Sequence, residues 1–400
     1  MDPRADPASL LPLARGRYDG FVSTLETIVN MDTGSLQADD VNALADLVET
    51  RLRATGWDVE RLPTEPLDDY GRLGDVVIGH RRGTRPRDAG GRTLLLMAHM
   101  DTVFDPGTAA ARPYRTQDGR AYGPGVCDDK GGLIAGIEAV ELLCDDARFD
   151  DFAEIILLCN PDEEVGSPAS RALIDRLSRE ADVAIGLEAT RTNGDIVTAR
   201  KGMTDMVIEI TGLASHAGVA PHLGVNAALE AAHKTVALQA LNDRWDGVTV
   251  NVGVLRAGSR SNVVAASARL EVDVRAVTVA AFDQAVAEVE AIAKRSFVPG
   301  TTSVFHQAHA HVPMERTEAN AALAGEVNEI AEALGFSVGD QATGGCGDAN
   351  IAAATGTPTI DGFGPIGSGA HGLDEWLDLG SIVPRTALLA GLLARLGART

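Results

Sequence analysis

Hydrophobic and polar positions divide the chain into two contrasting regimes. Residues 36–55, SLQADDVNALADLVETRLRA, place Val41, Leu44, Leu47, Val48 and Leu52 at three- and four-residue steps before Gly56, the spacing of an amphipathic helix with a stop signal. Apolar runs of strand length follow at 94–98, 155–159 and 183–187, separated by helical stretches at 130–144 and 169–180. Such alternation predicts a parallel sheet covered by helices on both faces, with functional loops beyond the carboxyl ends of its strands. After Gly202 the period becomes two: MTDMVIEITG, VTVNVGVLRAG and ARLEVDVRAV alternate apolar and polar positions, with helices expected at 225–241 and 279–295 and a last strand at 302–309. That order, strand, helix, strand, strand, helix, strand, predicts an antiparallel sheet with two helices on one face. From 313 the chain returns to helix (319–334), strand (358–363) and a closing helix (382–396), which complete the first sheet. The expected fold class is therefore α/β, with a discontinuous α/β/α domain from 1–202 and 313–400 and an α+β domain inserted at 203–312.

Composition narrows the partners. A chain of 400 residues, 45% hydrophobic and 23% charged, is long enough for more than one core and has ordinary globular usage. Its 57 acidic against 35 basic residues give a net charge of −22, which repels phosphate backbones and anionic lipid, so neither nucleic acid nor a membrane is an expected partner. Cys127, Cys144, Cys159 and Cys346 show no CxxC spacing, which favours reduced thiols over a disulfide framework or a cysteine zinc site. The first residues, MDPRADP, lack a basic segment followed by an apolar one, and no run approaches the ~20 apolar residues of a membrane span, so a cytoplasmic location is expected.

The chemistry-bearing residues cluster at the predicted strand ends. LLLMAHMDTV runs an apolar strand into His99, with Asp101 two positions on, which suits a metal ligand with an orienting carboxylate behind it. Taken singly, the pair also reads as a core histidine hydrogen-bonded to an acid. Asp128 and Asp129 in YGPGVCDDKGG precede a helix, where adjacent acids also serve as N-cap and dipole partner. CNPDEEVGS crowds Asp162, Glu163 and Glu164 at one sheet edge, where mutual repulsion calls for a cation. Glu188 ends the next strand, and a glycine-rich loop before the last helix carries His371. His99, Asp128, Glu164, Glu188 and His371 combine hard oxygen with borderline nitrogen donors, a mixture suited to Zn²⁺ and tolerable for Mn²⁺ or Co²⁺. Two ions use all five ligands if one aspartate bridges, whereas a single tetrahedral zinc leaves carboxylates in surplus.

These blocks, HMD, YGPGxxDDKGG, DEExGS, LE, SHAG, an Asn then Arg pair, TGG and the late His, resemble the dinuclear zinc peptidases and deacylases of the M20 type, closest to their glutamate carboxypeptidase branch. The resemblance implies a zinc-exopeptidase-like catalytic domain and a ferredoxin-like inserted domain that acts as lid and homodimer contact. It implies that Asp128 bridges two metals, that His99 and Glu188 complete one shell and Glu164 and His371 the other, that Asp101 orients His99, and that Glu163 is the general base. It further implies that His216 in GLASHAGVAP reaches the active site of the partner protomer to hold the oxyanion, and that Asn262, Arg275 and Gly345 bind substrate. A guanidinium forks onto a carboxylate, so Arg275 is the candidate for a substrate's free carboxyl group; a surface ion pair with Glu271 or Asp273 is the plainer reading. Cys346 stands where another small residue is expected, either touching substrate or buried and inert, and Arg200 and Lys201 add charge at the domain junction. His306, His309 and His311 in HQAHAH resemble a metal tract but fall in the inserted domain's last strand.

The activity expected is hydrolysis of an amide next to a free carboxylate in a small molecule. The alternatives are hydrolysis of a non-peptide C–N bond and, in a different class, a metal-binding module without catalysis, which has no chemical use for Glu163.

Overall fold

The computed structural model describes residues 6–308 and 310–398, and it resolves into two units: Met1–Thr198 with Arg316–Ala342 and Gly347–Thr400, and Ala199–Glu315 with Thr343–Cys346. In the first unit a six-stranded sheet is formed by Asp58–Leu62, Val76–Arg82, Glu154–Asn160, Thr93–His99, Val183–Gly186 and Thr359–Ile360, in that spatial order. Alternate residues of the apolar runs point to opposite faces, so each run fills two cores. Leu94, Leu96, Ile155, Leu157 and Ile185 pack beneath Pro7–Val29, Ala38–Ala54, Lys130–Glu141, Glu318–Ala333 and Ile382–Gly397, whereas Leu95, Met97, Ile156, Leu158 and Ala184 meet Ile174, Leu177 and Ile351 from Arg171–Glu180 and Asp348–Ala354. Sheets buried on both faces need such uninterrupted apolar strands.

The expected parallel sheet has an antiparallel edge. Thr93–His99 runs parallel to Glu154–Asn160 and Val183–Gly186, but Val76–Arg82 and Asp58–Leu62 add an antiparallel edge. The expected strand at 358–363 shrinks to Thr359–Ile360, because the chain turns at Gly362, where φ is 81°. Leu47, expected on the buried stripe of its helix, is 44% exposed, since the packed face follows Val41, Leu44, Val48 and Leu52. The 23-residue helix Pro7–Val29 was not foreseen; Pro12, Gly16 and Gly20 depress its propensity, and Leu10, Ala14, Phe21, Leu25, Ile28 and Val29 form its buried apolar face. Among the described residues one helix, Leu379–Gly397, is long and apolar enough to cross a membrane, and its apolar side chains are packed in the first unit's core.

The second unit is an antiparallel four-stranded sheet, ordered Thr249–Ala257, Ser267–Ala276, Gly202–Thr211, Thr302–Gln307, with helices Ala227–Gln239 and Val279–Lys294 covering one face. Met206, Ile208, Ile210, Leu270, Val272 and Val274 face those helices, and Arg269, Glu271, Asp273 and Arg275 alternate onto the other face. The last strand ends at Gln307, short of the expected 309, and His309 lies outside the described residues. Asn226 and Thr278 cap the helices by accepting Ala228 and Ala281 amides. Inside, Glu230 and Lys234 form a fully buried ion pair at 3.0 Å. Lys234 Nζ also donates to the carbonyls of Ile292, Ala293 and Arg295, and Glu230 accepts the amides of Phe297 and Val298, so the pair closes the end of Val279–Lys294.

Burial opposes ionisation of Glu230, but the Lys234 ammonium and the two amides outweigh it and hold the carboxyl below its usual value. A depressed carboxyl contributes stability above its unfolded pKa and loses it as pH falls through the folded one. Glu230→Gln should therefore lower unfolding free energy by roughly 3–5 kcal/mol at neutral pH in denaturant titrations, with the deficit shrinking on acidification. A double Glu230→Gln, Lys234→Met variant should recover part of the loss; a deficit that is absent or independent of pH would remove the pair from the account.

Candidate metal centre

Three parallel strands deliver their carboxyl ends to one sheet edge. His99 is the last residue of its strand and pairs in register with Asn160, while Gly186 ends the neighbouring strand two positions before Glu188. His99 is 2% exposed. Its Nε2 lies 3.0 Å from Asp128 Oδ1 and 3.7 Å from Glu188 Oε1. On the other side of Asp128, His371 Nε2 lies 3.3 Å from Oδ2 and 3.0 Å from Glu164 Oε2. Two donor triads result, His99 with Asp128 and Glu188, and Asp128 with Glu164 and His371, each with its ligand atoms within 4.8 Å of one another. Each Asp128 oxygen serves one triad. One imidazole and two carboxylates per triad is a donor set that fits a divalent cation.

Asp101 organises this edge. It is fully buried, and its carboxylate lies 3.3 Å from His99 Nδ1, whose nearest partner is the Asp101 carbonyl at 3.0 Å. The same carboxylate accepts Ser35 Oγ at 2.6 Å and the amides of Glu163 and Glu164 at 3.1 Å. One side chain thus fixes an imidazole of one triad and the backbone of a carboxylate of the other. Asp162 closes the turn from below, accepting the amides of Ala169 and Ser170. Asp128 and Asp129, joined by a cis peptide, lead into Lys130–Glu141, and Asp129 makes no side-chain cap bond, so the plain N-cap reading of this pair is not what the chain uses. At Gly132 a Cβ would stand 1.9 Å from the Leu187 carbonyl and 2.0 Å from Asp129 Oδ1, which explains a glycine in a helix packed this closely on the strand end.

The charges are severely crowded. Burial pushes the Glu163 carboxyl well above the carboxylate range, and Glu188, Asp348 and Glu164 add to it. Asp128 and Glu164 raise His371 to about 10. Burial opposes protonation of His99, yet Asp101 and Asp128 raise it well above the usual imidazole value. In each case the edge draws in positive charge.

Sequence reasoning missed Glu375. This buried carboxylate accepts the amides of Gly125 at 2.8 Å, Cys127 at 2.9 Å and Asp128 at 3.2 Å, so it grips the turn carrying the shared aspartate. Burial pushes its carboxyl up to about 7. The only signal in the sequence was an acid four positions after His371 in a glycine-rich loop, with nothing to link it to residues 125–128.

The remaining expected residues lie in the second unit. His216 is exposed and bridges to Val263, with the Ala217 amide donating to the Asn262 carbonyl at 3.0 Å, so His216 and Asn262 are neighbours there. Arg275 Nε donates to Asp273 at 3.1 Å, the plainer reading of this residue, and its Nη1 also donates to the Gly344 carbonyl at 3.3 Å beside Gly345. Arg200 Nη1 donates to the Gly345 carbonyl at 3.3 Å, the Lys201 amide to Thr343, and Cys346 Sγ lies 3.4 Å from Met203 Sδ. His306 is in the edge strand, His311 pairs through its backbone with Met203, and neither joins a donor group among the described residues.

A model of the family described as Peptidase family M20/M25/M40 matches residues 95–395. The chain belongs to this family. M20 peptidases are metal-dependent hydrolases, and among the described residues the two triads are the groups suited to metal. Carboxypeptidase G2 of Pseudomonas sp. (strain RS-16) is 33% identical over 97% of this chain and 92% of its own length. Over a shorter stretch, one of the chains of p-aminobenzoyl-glutamate hydrolase from Escherichia coli (strain K12) is 38% identical, covering 30% of this chain and 29% of its own. Among solved structures, the aminopeptidase PepT from Bacillus cereus shares the M20 fold with a TM-score of 0.77, covering 95% of this chain and 98% of its own at 21% identity.

Glu375→Ala should leave the fold intact and weaken metal retention by about 10- to 100-fold, the usual effect of removing an outer carboxylate. Metal content after dialysis against graded chelator measures it, and unchanged retention would deny Glu375 that part.

Proposed function

We propose that this M20 hydrolase is a dinuclear zinc enzyme that cleaves an amide, peptide or N-acyl, next to a free carboxylate, in the manner of a glutamate carboxypeptidase. The observation that carries the reading is Asp128, one of whose oxygens faces each donor triad. Asp128 would bridge two ions, His99 and Glu188 would complete one shell, and Glu164 and His371 the other. Zn²⁺ suits the mixture of imidazole and carboxylate best, with Mn²⁺ or Co²⁺ also compatible. When bound, the pair supplies a water acidic enough to ionise near neutral pH and Lewis-acid polarisation of the scissile carbonyl.

The chain's own residues do the rest. Adjacent side chains cannot occupy the same spot, so Glu164 takes the ligand position and Glu163 faces the attacking water, accepts its proton and returns it to the departing amine. Asp101 holds the His99 ring and both glutamates in register. Arg275 binds the substrate's carboxylate: Asp273 engages its Nε and the Gly344 carbonyl one Nη1 hydrogen, which leaves Nη2 and the second Nη1 hydrogen for the carboxylate beside Gly345, with Asn262 in the same unit. His216 supplies the oxyanion contact to a partner protomer. The inserted domain, 203–312, is assigned as lid and homodimer contact. Its edge strand Thr249–Ala257 and the exposed Leu229 and Val236, seven apart on one helix, support the second assignment. Four unpaired cysteines support a cytoplasmic location. The p-aminobenzoyl-glutamate hydrolase relative favours a second reading in which the acyl half is aromatic, so that the products are an aromatic acid and an amino acid; mass spectrometry of the products separates this from a peptidyl or aliphatic acyl substrate.

Glu163→Gln should retain both ions and lose at least 10²-fold in kcat; full turnover would remove Glu163 from proton transfer. Arg275→Met should raise KM roughly 10- to 100-fold for carboxylate-bearing amides and leave amidated analogues unaffected, and equal losses on both would unseat it as the carboxylate partner. Mixing Glu163→Gln with His216→Ala protomers should restore activity that neither has alone; no recovery points to a site complete within one chain.

A further inference from the structure

The two imidazoles of the centre are held very unequally. His99 ends an interior strand, its side chain 2% exposed, with Nδ1 engaged by both the carbonyl and the carboxylate of Asp101. His371 lies in the loop between Ser368 and Trp376, its side chain 56% exposed and its backbone left-handed at φ 64°. Among the described residues, none hydrogen-bonds its Nδ1. Metal-binding imidazoles ordinarily take their orientation from a partner on the second ring nitrogen, and losing that partner weakens binding by about 10- to 100-fold. For His371 the orientation has to come from the backbone.

One side chain supplies it. Arg112 Nη1 donates to the carbonyl of Gly372, the next residue, at 3.0 Å, and the Gly372 amide closes a turn onto the Gly369 carbonyl at 2.9 Å. The guanidinium is itself positioned 4.5 Å over the Phe104 ring. Arg112 follows the short helix Thr108–Ala111, whose entry is fixed by Asp32 accepting the amides of Gly107 at 2.7 Å and Ala109 at 2.8 Å. The tether therefore runs from an anchored turn, through a stacked guanidinium, to the peptide adjoining the ligand. Among the described residues, no such tether stands at His99.

We propose that Arg112 is a positioning residue for the outer metal site, holding the His371 loop so that the Glu164–His371 site binds its ion, and that this site is the weaker and more exchangeable of the two. The proposal rests on the dinuclear reading and adds an order of affinity and the residue that sets it. Arg112 belongs to neither donor triad; its guanidinium meets the Gly372 carbonyl and the Phe104 ring. Its effect passes through the Gly372 peptide to the His371 ring.

The test is a Co²⁺ titration of the metal-free full-length protein, followed by calorimetry and visible absorbance. The wild type should take up two ions in steps about tenfold or more apart, and His371→Ala should abolish the weaker step while keeping the tighter one. Arg112→Met should weaken the second step about tenfold or more and leave the first unchanged, with Arg112→Lys recovering part of the shift by restoring a donor to Gly372. If Arg112→Met fails to fold, Phe104→Leu removes the stacking partner and should move the same step in the same direction. Two indistinguishable steps in the wild type, or a shift shared by both steps, overturn the proposal. If the wild type binds no Co²⁺, the dinuclear reading falls with it; if it binds two but Arg112→Met changes neither step, only the tether is wrong.

Discussion

Carboxylates crowded at one sheet edge constrain everything around them. Asp128, Glu163, Glu164 and Glu188 meet where three parallel strands end, with Asp101 buried behind them. Removing a carboxylate from water carries a penalty of several kcal/mol per ion unless charge of the opposite sign compensates. Two imidazoles offset part of that repulsion, and a pair of dications would offset the rest. In the proposed reaction the same crowding serves the chemistry, because carboxylates that would hold a cation pair stand beside one that would accept a proton from water.

The surrounding structure is built to keep this arrangement from relaxing. Asp101, Asp162 and Glu375 each accept two or more backbone amides, so these acids act as anchors for the turns that carry the triad residues. These anchors link strand ends distant in sequence: Glu375 spans 250 positions to reach Gly125. The anchoring is uneven. On the His99 side the ligand is part of the sheet, whereas on the His371 side it rides on a loop reached through Arg112 and Phe104. A rigid inner half and a more loosely held outer half suit the proposed dinuclear site, in which substrate would approach one of two ions.

Much of the fold was legible because the physical signals are local. Apolar runs at 94–98 and 155–159 announce strands buried on both faces, and period-two alternation after Gly202 announces a half-exposed antiparallel sheet. Strand direction is not local: nothing in VVIGHRR distinguishes an antiparallel edge from a parallel one, so the mixed sheet was missed. Helix Pro7–Val29 was hidden by a proline and two glycines whose low propensity its packing overrides. The acids at the site were readable as a group because each follows a strand or precedes a helix. Their partners were not, since Ser35, Glu375 and Arg112 are ordinary residues until the chain brings them against a strand end or a loop.

The proposed function requires one aspartate shared between two cations. Anomalous diffraction from crystals of zinc-loaded protein, recorded on either side of the zinc edge, tests this most directly. It should reveal two peaks, one bordered by His99 and Glu188 and the other by Glu164 and His371, with the Asp128 carboxylate between them. A single peak, or two peaks that do not share Asp128, would contradict it.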